Sequence, residues 1–219
     1  MKSSIISILL CIVIFCCNDD DVCLIGSGTV NTYPVETVTF NNVSISGPIN
    51  LRYTQGNTQD VSITAEPEMF DQLDYYVKDN TLHVGYIENI TCFETVHGVW
   101  VNVIHPEISN FEAQGKNQIV SDGPINQPYL SIDASGMVTV DLTGKVEAQT
   151  LSVSGELRAR NFGLESKRTF IEVSGTGEIE VTCTDSLDIE VSGSSTVYYQ
   201  GYPIITQEVD GTLVLQDAN

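Results

Sequence analysis

Positive charge is scarce in this chain. Nine lysines and arginines stand against 29 aspartates and glutamates, a formal charge of −20 over 219 residues. A polyanion repels phosphate backbones, which argues against nucleic acid as a partner. Long apolar runs are scarce too. The stretch 5–15 near the start is too short for a membrane-spanning helix, which needs roughly 20 residues. Cysteine forms no metal pattern: there is no Cys-x-x-Cys, and Cys92 and His97 stand without two further ligands. His83, His97 and His105 have no neighbouring serine or cysteine in a nucleophile motif. A glycine loop that would cradle phosphate before a helix is missing, as is any substantial helical pattern. Catalytic residues, a cofactor and a metal site are therefore not expected. With 42% hydrophobic residues the chain can still bury a core and is no acidic disordered tail.

What is present at the N-terminus reads as an export signal. Lys2 precedes the apolar stretch, and a cysteine stands where cleavage would fall. Cys16 at −1 and Ile14 at −3 make the site before Cys17 similar to a bacterial lipobox, although Phe15 is bulkier than that pattern prefers. The expectation is a signal peptide over 1–16, lipidation of Cys17 and a polar, flexible tether over 17–34. The acyl chain would hold the protein to a membrane without a transmembrane helix. Losing Lys2 leaves 8 basic and 29 acidic residues, and 8 − 29 = −21. Cys23, Cys92 and Cys183 then remain, so at least one is unpaired within the chain, and the pairing is open.

The dominant feature is a repeat. "IEVSGTGEIEV" at 171–181 alternates apolar and polar residues, breaks at Ser-Gly and alternates again; "LSIDASGMVTV", "LSVSGELRA", "LDIEVSGSSTV" and "ITQEVDGTLVL" do the same. The glycines are Gly115, Gly136, Gly155, Gly175, Gly193 and Gly211, a mean spacing of 96/5, about 19. A fixed period near 20 marks a solenoid. Two residues before each glycine stand Ala113, Ala134, Val153, Val173, Val191 and Val209. Four before stand Phe111, Ile132, Leu151, Ile171, Ile189 and Gln207. These columns predict inward stacks on successive parallel strands. The glycine is expected to turn a corner by adopting φ/ψ values closed to other residues, with the preceding serine bonding the turn backbone.

The fold class is therefore all-β, a right-handed parallel β-helix of about 19-residue coils. Its domain covers 35–219, with regular coils over 107–219 and a less regular β part over 35–106. In that leading part Pro67 opens one helical turn, and "YYVKDNTLHVGY" forms an antiparallel pair turning at Asp79-Asn80. "LVLQDAN" offers little cap at the other end, so end-to-end pairing of molecules there is an expectation.

"SISGPINLRYTQG", "YYVKDNTLHVGY" and "LDIEVSGSSTVYYQGYP" together resemble the head GIN domain family of putative autotransporter adhesins, over residues 35–217. That family's C-terminal element reads Ser-Gly-x-Gly-x-Val-x-Tyr-x-Gly-x-Pro. Here Ser192, Gly193, Val197, Tyr199, Gly201 and Pro203 match it, while Ser195 replaces the second glycine. Asn18-Asp19-Asp20-Asp21 is similar to the acidic export tag of Bacteroidetes lipoproteins. The resemblance implies a β-helix-like domain on an exported, outer-membrane and surface-exposed lipoprotein, with no catalytic residues.

Two clusters carry the remaining chemistry. Three residues before each glycine stand Glu112, Asp133, Ser152, Glu172, Glu190 and Glu208. On a parallel stack this acid column faces outward, as a solvated face or as a ladder for cations or a basic partner. Arg158, Arg160, Lys167 and Arg168 crowd into 11 positions. The repeat frame places Arg158 over Glu178 and Arg160 between Asp141 and Glu180, as cross-strand ion pairs. The alternative is a groove of a polysaccharide-processing enzyme. Tyr198, Tyr199, Tyr202 and Trp100 are candidates for stacking on sugar rings. The expected function is a non-enzymatic acidic scaffold for adhesion, with a glycan or surface protein as partner; the alternative is a glycan-binding or polysaccharide-processing protein.

Overall fold

The computed structural model describes residues 23–87, 90 and 92–219. The expected signal over 1–16 and the lipidation at Cys17 lie outside the described residues.

Strands occupy most of the chain, in a β-solenoid of about five turns. Three ladders run along it. The first stacks Asn110–Gln114 on residues 131–134, 150–153, 170–173 and 188–191, and finally on Ile204–Val209, all parallel. Val153 pairs with Val173, Val173 with Val191, and Val191 with Val209. The second ladder follows the Ser-Gly corner, with Ile119 on Val140, Val140 on Ala159, Ala159 on Ile179, Ile179 on Val197 and Val197 on Leu215. A shorter third ladder joins Ile125 to Gly144 and Gly144 to Leu164. The repeat pattern did not reveal it, because its few residues per coil lack the alternation that marks the other two.

Apolar side chains fill the interior because inward positions recur at period two on each strand. Phe111, Ile132, Leu151, Ile171 and Ile189 are each at most 1% exposed. Every inward position of the last coil is more open, and the same column ends in exposed Gln207. Polar side chains fill the corners. Asn117 donates to the carbonyls of Gly47 and Ile49 at 2.8 and 2.7 Å, Leu142 N–H donates to Asn161 at 3.0 Å, and Gln149 donates to Thr169 Oγ1 at 3.1 Å. Asn117 and Asn161 thereby give backbone groups beside the turns a partner.

Three expectations are corrected. The corner glycines are not there for unusual backbone angles: of the six only Gly115 has a positive φ, +117°. At Gly136, Gly155, Gly175, Gly193 and Gly211 the reason is close approach. A Cβ at each would overlap the carbonyl oxygen of the corner glycine one coil earlier. The serine hydroxyls likewise reach the preceding coil, Ser174 Oγ donating to the Val153 carbonyl at 3.3 Å.

Regular stacking also starts earlier than residue 107. Asn42–Ser46 pairs parallel with Asn110–Gln114, and part of Ile49–Gln55 pairs parallel with Lys116–Ser121. Beneath these lie Thr81–Tyr86 and Val99–His105, also parallel. The excursion through 56–80, and a coil order that differs from chain order, destroy the fixed spacing: Asn42–Ser46 lies between Thr81–Tyr86 and Asn110–Gln114, so Val43 and its partner Phe111 are 111 − 43 = 68 residues apart. Within the excursion Pro67–Phe70 makes the expected helical turn, and Leu73–Lys78 pairs antiparallel with Thr81–Tyr86 across Asp79 and Asn80, both at positive φ.

The third correction concerns the tether. Asn31–Pro34 pairs antiparallel with Asp60–Ala65, and Tyr33 stacks on Phe70 with centroids 3.8 Å apart. Leu24–Ile25 pairs with Phe93–Glu94, fastened by a Cys23–Cys92 disulfide. Residues 23–34 thus belong to the folded body. Their apolar content is low, but a covalent link and a strand partner replace what burial would supply. Cys183 is left free and buried.

Candidate functional site

The acid column forms as the register requires. Glu112 pairs with Asp133, Asp133 with Ser152, Ser152 with Glu172, Glu172 with Glu190, and Glu190 with Glu208. Neighbouring members are therefore about 4.8 Å apart along the stack. Alternation turns them outward while the flanking valines point in. A shallow cleft runs along them, floored by the backbone and edged by Ser135, Ser154 and Ser174. It continues past Glu190 and Ser192 to Glu208 and Asp210. No lysine or arginine lines either stretch. Among the described residues, the one threefold grouping of potential metal ligands is Cys23, Cys92 and Glu94. Both its sulfurs are consumed in the disulfide. The column itself is a row rather than a converging cluster, and a row suits a long, many-pointed partner better than one ion.

The basic residues sort themselves by register. Arg158 lies over Glu178, Nη2 to carboxylate 2.7 Å, with Nε donating to the same oxygen at 2.9 Å. Lys145 meets Glu165 at 3.2 Å and Lys167 meets Glu147 at 2.8 Å. The hydrogen bond and charge of Glu147 raise the Lys167 pKa above the ordinary lysine value. Arg160 departs from expectation. It pairs in register with Glu180, yet among the described residues no carboxylate lies within ion-pair distance of it. Exposed side chains gain too little from such a contact in water to be held to one geometry. The cleft beside Arg158 contains Glu178, Ser194, Thr196 and Tyr198. Two of its nitrogens are engaged by one Glu178 oxygen, and the pair is half exposed.

Two of the three histidines, His83 and His105, make packing contacts, and His97 is exposed. His105 is 7% exposed, and its Nδ1 lies 2.8 Å from the Glu107 carbonyl oxygen, to which it donates when protonated. Burial lowers its pKa, outweighing the backbone bond to Glu107 and that residue's charge. His83 stacks on Tyr76, centroids 5.0 Å apart. Among the described residues no serine or cysteine side chain hydrogen-bonds a histidine ring. The Cys183 thiol donates to the carbonyls of Ser186 and Lys167 inside the core. Of the aromatic candidates, Trp100 carries the Arg52 guanidinium 4.7 Å from its ring centroid. Tyr199 packs against the core, Tyr198 lines the Arg158 cleft, and Tyr202 is 88% exposed in the turn before Ile204–Val209. Of these rings Tyr198 alone lines the clefts described above.

Comparison with known proteins fits this architecture. The family model described as "putative auto-transporter adhesin, head GIN domain" matches residues 39–203. No curated protein matches the chain by sequence. Solved structures of similar shape include a putative adhesin from Bacteroides fragilis NCTC 9343, 19% identical, with a TM-score of 0.68 over 87% of this chain and 98% of that one. A putative adhesin from Parabacteroides distasonis ATCC 8503 is 16% identical, with a TM-score of 0.53 over 88% of this chain and 99% of the other. A putative lipid binding protein from the same organism is 18% identical, with a TM-score of 0.55 over 88% and 98%. At these identities the likeness establishes the fold alone.

Proposed function

The chain belongs to the head GIN domain family of putative auto-transporter adhesins, and we propose that it works as a non-enzymatic, surface-held scaffold whose acidic side face mediates adhesion. The observation that carries this is the in-register column from Glu112 to Glu208, unbroken by any basic residue in its cleft. A stiff stack holds these carboxylates in one line, one step apart except for the two-step gap at Ser152, so a partner with repeated groups binds by avidity although each contact is weak. Attachment to the outer membrane through Cys17 would set this face on the cell exterior. The adhesin descriptions of the family and of similar structures support an exported setting.

The test is retention of protein-coated beads on arrays of glycans and of basic and neutral proteins. Beads are expected to bind selected spots and to lose them when Glu112, Asp133, Glu172 and Glu190 become Gln or Asn. The rival reading is a polysaccharide-processing protein working in the Arg158 cleft. Release of new sugar ends from any arrayed polysaccharide, abolished by Arg158→Ala, would replace the adhesion reading with that one.

A further inference from the structure

The two ends of the solenoid are finished differently. At the leading end, Thr81–Tyr86 and Val99–His105 are overlaid by the antiparallel strands Leu73–Lys78 and Asp60–Ala65. Ile63, Ala65 and Met69 of that cap are fully buried. At the trailing end, among the described residues, Ile204–Val209 and Thr212–Asp217 each pair only with the coil before them. The inward columns stop there on half-buried Ile205, Leu213 and Leu215 and on Val209, which is 40% exposed.

The backbone is open at the same place. The amides of Asp210, Thr212 and Ala218 donate to the preceding coil, on Val191, Gly193 and Tyr199. Alternation along a parallel strand then turns the amides of Gln207, Val209, Leu213 and Leu215 away from the stack. Unpaired strand edges with apolar positions between them accept a further strand. Charge decides which one. Residues 169–219 contain nine acidic residues and no Lys, Arg or His. Glu208 and Asp210 project from the last coil at the outward positions. A second copy of the same coil would bring like charges against them.

We propose that the trailing end is a strand-addition site for an extended segment of a basic partner protein, with apolar residues alternating with lysine or arginine. Its apolar residues continue the columns over Ile205, Gln207 and Val209, and its basic residues stand over Glu208 and Asp210. The site is the end of the stack rather than its side, so it does not rest on the adhesion reading.

The experiment titrates the purified full chain into a labelled peptide of roughly eight residues alternating valine with lysine, followed by fluorescence anisotropy. A valine–glutamate peptide and a proline-interrupted lysine peptide are the controls. The lysine peptide should bind at least roughly tenfold tighter than either control, less so as salt is raised. Gln207→Pro removes an outward N–H without touching the ladder beneath, and should weaken binding by a similar factor. Amide exchange in the unaltered protein gives a readout that does not depend on this variant folding. The Gln207 and Val209 amides should slow on peptide addition. Equal binding of lysine and glutamate peptides, or slowing confined to the Glu112–Glu190 face, would overturn the proposal. So would a peptide-free dimer in light scattering that Gln207→Pro dissolves, because the end would then belong to a second copy.

Discussion

The carbonyl oxygen of Gly175 occupies the space in which a side chain on Gly193 would begin. Each corner glycine from Gly136 onward makes the same approach to the one before it, so the corners nest backbone against backbone. Gly193→Ala must push two coils apart, and a cost of about 3 kcal/mol is expected. Gly28 makes the contrast, with a φ of +80° and nothing within 4 Å of an added Cβ. Gly28→Ala should cost about 1 kcal/mol, from backbone conformation alone. Denaturant melts of the two variants check this. Equal losses would mean that conformation, not contact, selects glycine at the corners.

The Arg158–Glu178 pair is half exposed on both sides, at 53% and 50%. A double-mutant cycle with Arg158→Ala and Glu178→Ala should give a coupling below about 1 kcal/mol that shrinks with salt. A coupling several times larger would point to a selected charge site in that cleft.

Cys23 and Cys92 are 69 residues apart in sequence, and a closed loop of that length stabilises by about 4 kcal/mol in the chain-entropy picture. Replacing both with serine should lower the melting temperature. It should also speed exchange at the Gly26 amide, which donates to the Glu94 carbonyl at 2.8 Å. Exchange at the Ser174 and Ser192 amides, bonded between inner coils, should be unchanged. Acceleration there as well would show that the disulfide holds the whole solenoid.

His105 supplies a pH signature. Its ring is stacked on Phe40 at 5.2 Å, faces the backbone of Glu107, and sits beside the Tyr53 hydroxyl, which donates to the His105 carbonyl. The unfolded chain takes up the imidazole proton near pH 6.5, whereas the native ring takes it up only at lower pH. Its contribution to stability is therefore full above that value and declines as pH falls through it toward the native pKa. Between about pH 7.5 and 5.5 the protein should lose more stability than His105→Gln does. Parallel curves would mean that the native and unfolded rings titrate alike.

What the sequence made legible follows from which signals are local. Columns such as Val153, Val173 and Val191 recur at nearly constant spacing, so their stacking could be read without coordinates. The acid column came with them, since parity on a strand fixes which side faces water. Pairings that skip an excursion were hidden: nothing in the spacing joins Val43 to Phe111 or Thr32 to Thr64. The role of the corner glycines was misread for a related reason. A single chain shows that a side chain is missing but not which neighbouring atom forbids it, and that atom lies one coil away.

The acidic face exists only if the coils stack in register. Spin labels at Glu112→Cys and Glu208→Cys lie on the same column five steps apart, about 24 Å at roughly 4.8 Å per step. Pulsed dipolar spectroscopy is predicted to give one narrow distance distribution near that value. A broad distribution, or one centred well beyond it, would contradict both the stack and the continuous acidic face.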